Sequence, residues 1–305
     1  MFVIAAPGQG SQKPGFLKPW LADSTNADTL RSWSDSLGID LVAHGTTSDE
    51  DTIKDTAVAQ PLIVAAGILT GRALLARLPG GTPLAFAGHS VGEFTAAALS
   101  GVLSDHEALE LVALRGRAMA EASQIVDSGM AALLGGDPET LEADVISRGL
   151  HPANYNGGGQ LVVAGTQALL ADLAESPIPG TRVIPLSVAG AFHTSFMESA
   201  QGRLSDAAST LSPADPQFPL YTNRDGSLLG GGQDALHSLV TQVTRPVRWD
   251  SCMESFATDG IRGMMELSPA GALVGLAKRG LKGVPSVALN TPEELEKALE
   301  MVAAA

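Results

Sequence analysis

One five-residue run, Gly88-His89-Ser90-Val91-Gly92, restricts what this chain can fold into more than any other feature. It follows Leu84-Ala85-Phe86-Ala87, a short apolar run that reads as a strand, and it precedes residues 92–101, which read as a helix. Glycine, any residue, serine, any residue, glycine between a strand and a helix is a sharp turn with small neighbours and an exposed hydroxyl. The turn aims the helix N-terminus and the Val91 N–H at the place where charge develops on an oxyanion. Ser90 is therefore expected to be the nucleophile of an acyl-transfer enzyme that passes through an acyl-serine. A bare pentapeptide of this kind is as often a structural turn; the flanking strand and helix shift the reading toward chemistry.

Around the elbow the periodicity predicts an α/β chain. Phe2 to Ala6 reads as a buried strand that stops at Pro7-Gly8, and residues 59–78 are apolar all round, which predicts a buried helix broken by Pro79-Gly80-Gly81. A further helix is expected over 105–123. The next stretch changes rhythm: strand Met130–Leu134, helix 137–148, strands Ala153–Asn156 and Leu161–Ala164, helix 166–175, strand Arg182–Val188. That order, βαββαβ, is the split βαβ or ferredoxin-like unit. It predicts a small subdomain at 125–193 inserted into a large catalytic domain made of 1–124 and 194–305. In the second part of the large domain, a helix is expected at 194–210, strands near 219–222, 263–267 and 286–289, and a last helix at 292–303.

Composition bounds the partners. The 305 residues are 45% hydrophobic, enough for a sizeable core, and the formal charge is −14. A surface that negative does not suit nucleic acid, whose phosphates need a basic face. A single cysteine, Cys252, allows no disulfide and no cysteine metal site within the chain and fits a reducing cytoplasm. The first residues lack a basic segment and meet Pro7 too early for a signal peptide. The longest apolar stretch, Pro61 to Leu69, is about half a membrane span. A soluble, cytoplasmic monomer with no membrane partner is the expectation.

A serine hydroxyl needs a base. Of the six histidines, His44, His106 and His237 lie in polar surroundings and His151 opens a strand of the small lobe. His89 adjoins the nucleophile, but its side chain should point away from the turn and brace it. His193, in Val188-Ala189-Gly190-Ala191-Phe192-His193-Thr194-Ser195, stands between a strand and a helix among small residues that leave room for substrate. It is either the base or a helix-entry histidine capped by Thr194 or Ser195.

Taken together, the chain resembles the malonyl-CoA:acyl carrier protein transacylase family over nearly its whole length. The resemblance is carried by Gly8-Gln9-Gly10-Ser11-Gln12 after the first strand, Gln60-Pro61 opening the buried helix, Gly88-His89-Ser90-Val91-Gly92-Glu93, Arg115-Gly116, Asn154-Tyr155-Asn156 with Gln160, Ala191-Phe192-His193-Thr194 and Pro246-Val247-Arg248-Trp249. It implies an α/β-hydrolase-like large domain with a parallel sheet, the ferredoxin-like insert, and a cleft between them. It also implies roles. Ser90 attacks the malonyl thioester, His193 takes and returns the proton, and the Gln9 side with the Val91 N–H holds the oxyanion. The main-chain carbonyl at Arg248 orients His193, with Asp250 a less favoured acid nearby. Arg115 pairs with the malonyl carboxylate, its fork suiting two oxygens; read without the resemblance, it is an ordinary solvated helix residue, as Arg117 is taken to be. Phe192, Met119, Asn156, Gln160, Gln60 and His89 complete the substrate surroundings, and the bulk of Phe192 should oppose an α-methyl branch.

The resemblance implies malonyl-CoA as donor, the phosphopantetheine thiol of an acyl carrier protein as acceptor, and no metal or cofactor. An acidic carrier would need a local basic patch on this acidic chain. Arg245 with Arg248, or Lys278 with Arg279 and Lys282, are candidates, as are plain solvated charges in both places. The run Glu266-Leu267-Ser268-Pro269-Ala270-Gly271 departs from the family's more glycine-rich version and is expected as a loop shaped by Pro269 and Gly271. Two other readings compete: a serine hydrolase such as a thioesterase, disfavoured because that fold's histidine comes late in the chain, and a non-enzymatic carrier-binding module.

Overall fold

The computed structural model describes all 305 residues. Two sheets organise them. The first is parallel and four-stranded, built from β1 (Phe2–Ala6), β2 (Leu84–Gly88), β8 (Gly263–Glu266) and β9 (Ser286–Ala288) in the order β2-β1-β8-β9. Its central strand β1 is buried at every position, as a parallel strand covered on both faces must be. Alternate side chains divide between the faces: Phe2, Ile4 and Phe86 join the main core, and Val3, Ala5 and Ala85 join a second core with Trp249, Phe256 and Met264.

The helix Thr56–Arg77 forms the floor of the main core. Asp55 caps it by accepting from the Ala57 N–H at 2.8 Å. Pro61 falls inside this helix rather than opening it. The helix is long and apolar enough to cross a membrane by length and composition, with mean hydropathy 1.6, but 78% of that window is buried inside the fold. The helix Asp105–Ala122 packs across it, started by a capping box between Ser104 and Glu107. A Cβ on Gly116 would meet the Thr56 carbonyl oxygen at 2.9 Å, so the small residue lets the two backbones close up.

The second sheet contains β3 (Ser128–Gly135), β4 (His151–Gly157), β5 (Gln160–Thr166) and β6 (Thr181–Pro185), with helices Leu141–Ser147 and Gln167–Glu175 between them. The strand-helix-strand-strand-helix-strand order expected for this stretch is present, and β3, β5, β4 and β6 pair antiparallel. Its own core holds Ala131, Leu133, Val145, Leu150, Val163 and Leu173. One strand was not foreseen: β7 (Val247–Arg248) lies parallel to β4, so a segment far along the chain completes the sheet order β6-β3-β5-β4-β7. Residues 219–222 make only isolated bridges, Phe86 to Leu220 and Tyr221 to Leu228. Helices at Leu41–Thr46, Gly232–Thr241, Trp249–Thr258 and Ala272–Gly280 were also not foreseen, the last beginning directly after the loop expected at 266–271.

Candidate active site

The elbow forms because its two glycines leave no room for anything else. A Cβ on Gly88 would lie 2.0 Å from the Gly92 carbonyl carbon, and one on Gly92 would lie 2.2 Å from the Ala6 carbonyl oxygen. Strand β2, the turn and the helix Gly92–Leu99 are thus pressed against the end of β1. Ser90 is held at φ 52° and His193 at φ 63°, the two non-glycine residues in the left-handed region. That conformation costs of order 1–3 kcal/mol per residue and persists where the surroundings over-determine it. For Ser90 the surroundings are explicit: its N–H donates to Asn223 Oδ1 at 2.7 Å, and its carbonyl accepts from Gln242 Nε2 at 3.0 Å.

The strain brings the two side chains together. Ser90 Oγ and His193 Nε2 are 2.7 Å apart. His193 is 4% exposed, and its Nδ1 donates to the main-chain carbonyl of Gln242 at 2.9 Å, which leaves Nε2 free to take the serine proton. Burial, then the nearby Arg115 charge, lowers the His193 pKa to about 3, so the imidazole is neutral at neutral pH. The expectation for the orienting carbonyl is corrected here: it belongs to Gln242 and not to Arg248. Arg248 sits in the short strand β7; its guanidinium grips Asp250 with two bonds of 2.9 Å and covers the Tyr155 ring. Asp250 is thereby occupied as well.

The Val91 and Gln9 N–H groups both lack an acceptor within the protein and both border the cleft beside Ser90. The Gln9 side chain spends one of its two amide hydrogens on the Lys54 carbonyl at 3.3 Å, whereas its main-chain N–H has no partner. His89 does brace the elbow: its Nε2 meets Asn156 Oδ1 at 2.8 Å, and Asn156 Nδ2 donates to Gln160 Oε1 at 2.9 Å. That chain ties the turn to the second sheet.

Arg115 is 1% exposed, which rules out the solvated reading, whereas Arg117 is exposed. One terminal nitrogen donates to Gln60 Oε1 at 2.6 Å and the other to Gln242 Oε1 at 2.9 Å. Nε has no partner. Of the five N–H bonds of a guanidinium, three have no partner within the protein. Gln60 in turn donates to Met119 Sδ at 3.5 Å. Ser90, His193, Arg115, Gln60, Met119, Phe192, Asn156 and Gln160 all line one cleft of about 580 Å³. Its far wall carries Met130, Ala132, Val162, Leu186 and Val188, and Arg279 stands at its edge. The cleft opens beyond the carboxyl ends of β1 and β2, the place where parallel α/β sheets bind ligands.

A neutral histidine on a serine, two free N–H groups beside it and a buried cation in one cleft can acylate the serine from a donor that carries a carboxylate. The acyl transferase domain family matches residues 1–295. The chain belongs to the acyl transferase family. This acyl transferase is 44% identical over 302 residues to the malonyl CoA-acyl carrier protein transacylase of Mycobacterium tuberculosis, spanning 97% of this chain and 99% of that one. It is 31% identical over 311 residues to the Escherichia coli K12 protein of the same name, spanning 98% and 99%. Among solved structures, MCAT from Mycobacterium tuberculosis superposes with a TM-score of 0.95 at 43% identity, covering 98% of this chain and 99% of that one. A malonyl-transacylase in complex with its type II PKS acyl-carrier protein superposes at 0.91 with 30% identity, covering 98% and 99%.

Three residues of this acyl transferase site escaped the sequence reading as participants: Gln242, Asn223 and Glu93. Glu93 carried a signal, since it ends the elbow motif. Gln242 and Asn223 lie in stretches with no pattern that marks them.

Proposed function

We propose that this chain moves a malonyl group from malonyl-CoA to the phosphopantetheine thiol of an acyl carrier protein, through a malonyl-Ser90 intermediate. The observation that carries the reading is the buried guanidinium of Arg115, with three N–H bonds unspent, in the same cleft as the Ser90–His193 pair. Without Arg115 a carboxylate entering such a cleft would stay unpaired at a cost of roughly several kcal/mol; with it, the site accepts a donor that brings one.

The steps are those of a ping-pong exchange. His193 Nε2 takes the Ser90 proton as Oγ attacks the thioester carbonyl, and the Val91 and Gln9 N–H groups receive the oxyanion. The C–S bond breaks and His193 protonates the departing CoA thiolate. The carrier thiol then attacks the ester with its proton passing to His193, which returns it to Ser90. Thioester becomes ester and thioester again, an exchange that asks for no metal or cofactor. The Gln242 carbonyl stabilises the imidazolium in each half.

The same reading gives the finer architecture: an α/β-hydrolase-like domain of residues 1–124 and 194–305 and a ferredoxin-like subdomain of 125–193, supported by the core that the subdomain keeps to itself between Ala131 and Ile178. The carrier docks at Lys278, Arg279 and Lys282, which are exposed and pair with no carboxylate, whereas the Arg248 charge is spent on Asp250. The protein works as a cytoplasmic monomer. Its exposed large apolar side chains are confined to Ile125, Val126, Ile146 and Leu228.

Intact mass after mixing with malonyl-CoA tests the reaction. A malonyl adduct is expected on the chain and is lost in Ser90→Ala. Adding carrier protein should move the group to the carrier; release as free malonate instead would make the enzyme a thioesterase.

A further inference from the structure

Two carboxylates are buried in this fold, Glu93 and Glu266. Glu266 accounts for itself: it accepts from the N–H groups of Gly271, Leu273 and Val274 and so pins the start of the helix Ala272–Gly280. Glu93 is not used by the reaction above, yet it lies directly under the elbow at 4% exposure. Its Oε1 accepts from the Asn223 N–H at 2.7 Å, and its Oε2 accepts from Gln242 Nε2.

In its ionised form, which the Asn223 and Gln242 donors and the Arg115 charge favour against burial, a carboxylate only accepts. It therefore decides which end of the Gln242 amide faces it: the nitrogen must point to Glu93, and the oxygen is left to face Arg115. The observed pairs follow that rule, with Arg115 donating to Gln242 Oε1 at 2.9 Å. Were the amide reversed, its NH₂ would confront the Arg115 donors. Glu93 and Arg115 thus sit at opposite ends of one side chain, whose main-chain carbonyl also holds His193. Burial pushes Glu93 up to about 7, while its two N–H donors and the Arg115 charge work the other way.

We propose that Glu93 is a positioning residue: by fixing the Gln242 amide it holds Arg115 in the orientation that receives the substrate carboxylate, and so it sets the preference for carboxylated acyl groups. The inference rests on the malonyl reading above. Glu93→Gln is the direct perturbation, because one carboxylate oxygen becomes an NH₂ that must face either the Asn223 N–H or the Gln242 NH₂.

The full chain and its variants are acylated with malonyl-CoA and with acetyl-CoA, and rates are taken per molecule that becomes labelled at Ser90, so losses in folding yield cancel. Glu93→Gln is expected to lower the malonyl-to-acetyl ratio of kcat/KM about tenfold or more, chiefly through the KM for malonyl-CoA. A purely structural role would lower both substrates equally, and an unchanged ratio overturns the proposal. Gln242→Leu keeps the carbonyl toward His193 but removes the amide, and it should reproduce the drop. If Glu93→Gln yields no folded protein, Glu93→Asp, which keeps an acceptor but draws it back from the Gln242 amide, carries the test, and an unchanged ratio there overturns the proposal. The double variant should be no less selective than the worse single; drops that multiply overturn the linkage through Gln242. A wild-type chain that forms no malonyl-Ser90 adduct overturns the malonyl reading and this inference with it, whereas an adduct with an unchanged ratio in the variants overturns this inference alone.

Discussion

Replacing Arg115 by alanine asks the most of the site. The guanidinium is buried and pairs with Gln60 and Gln242, which leaves the Nε–H and one hydrogen on each terminal nitrogen. A carboxylate can take two of those in a fork, the strong form of such a pair. Truncating one partner of a buried, hydrogen-bonded charge pair costs about 2–5 kcal/mol, which at about 1.4 kcal/mol per decade is a loss of roughly 30- to 4000-fold in kcat/KM for malonyl-CoA. Acetyl-CoA brings no carboxylate and should lose little beyond what the altered cleft costs both donors. The truncation also strands the Gln60 and Gln242 oxygens and opens a cavity, so stability falls too. The informative quantity is the malonyl-to-acetyl ratio, measured by transfer to a carrier protein and normalised to the labelled Ser90 fraction. A ratio that falls less than about threefold would refute the claim that Arg115 reads the carboxylate, because truncating one partner of a buried charge pair costs about 2 kcal/mol or more.

The other expectations test separate parts of the structure. Gly92→Ala places a methyl 2.2 Å from the Ala6 carbonyl oxygen, and a backbone atom cannot step aside; about 3 kcal/mol or more should be lost, lowering Tm by roughly 6–12 °C, and a Tm within about 2 °C of wild type would contradict the packing. His193 is held neutral by burial down to a pKa of about 3, so below its ordinary value near 6.5 the unfolded chain binds the extra proton and stability is lost as pH falls. His193→Gln should abolish that share, up to about 1.4 kcal/mol for each pH unit below 6.5; parallel Tm-versus-pH curves for the two proteins would count against it. Phe192 lines the cleft, and Phe192→Ser should raise methylmalonyl relative to malonyl transfer about tenfold, since a methyl group is worth about 1–3 kcal/mol in a pocket; equal kcat/KM ratios would sink the steric argument. Lys278→Glu with Lys282→Glu, both outside the cleft, should raise the KM for carrier protein about tenfold and leave that for malonyl-CoA alone, and equal shifts for both would remove the docking surface from this helix.

The sequence alone determined the elements whose causes are local. The elbow was legible because each of its positions is dictated by neighbours along the chain: an apolar strand, two glycines and a helix start. The alternation of strand and helix between residues 130 and 188 was legible for the same reason, as was the apolar helix through residues 59–77. His193 could be singled out from six histidines by its small neighbours. Only the tertiary structure decided which groups hold these residues. Gln242 follows a helix that the sequence did not reveal and reaches His193, Arg115, Glu93 and Ser90 from more than forty residues away along the chain. The carbonyl was expected at Arg248 because a main-chain acceptor has no side-chain signature; every residue offers one, and only packing selects it. Burial of Arg115 was decided in the same way. Its helix neighbours were compatible with either face, and what turned it inward was the closure of the 105–122 helix onto the 56–77 helix, which brought Gln60 within 2.6 Å. The sequence presented the serine, and the tertiary contacts around Gln242 decided how its base and its cation are held.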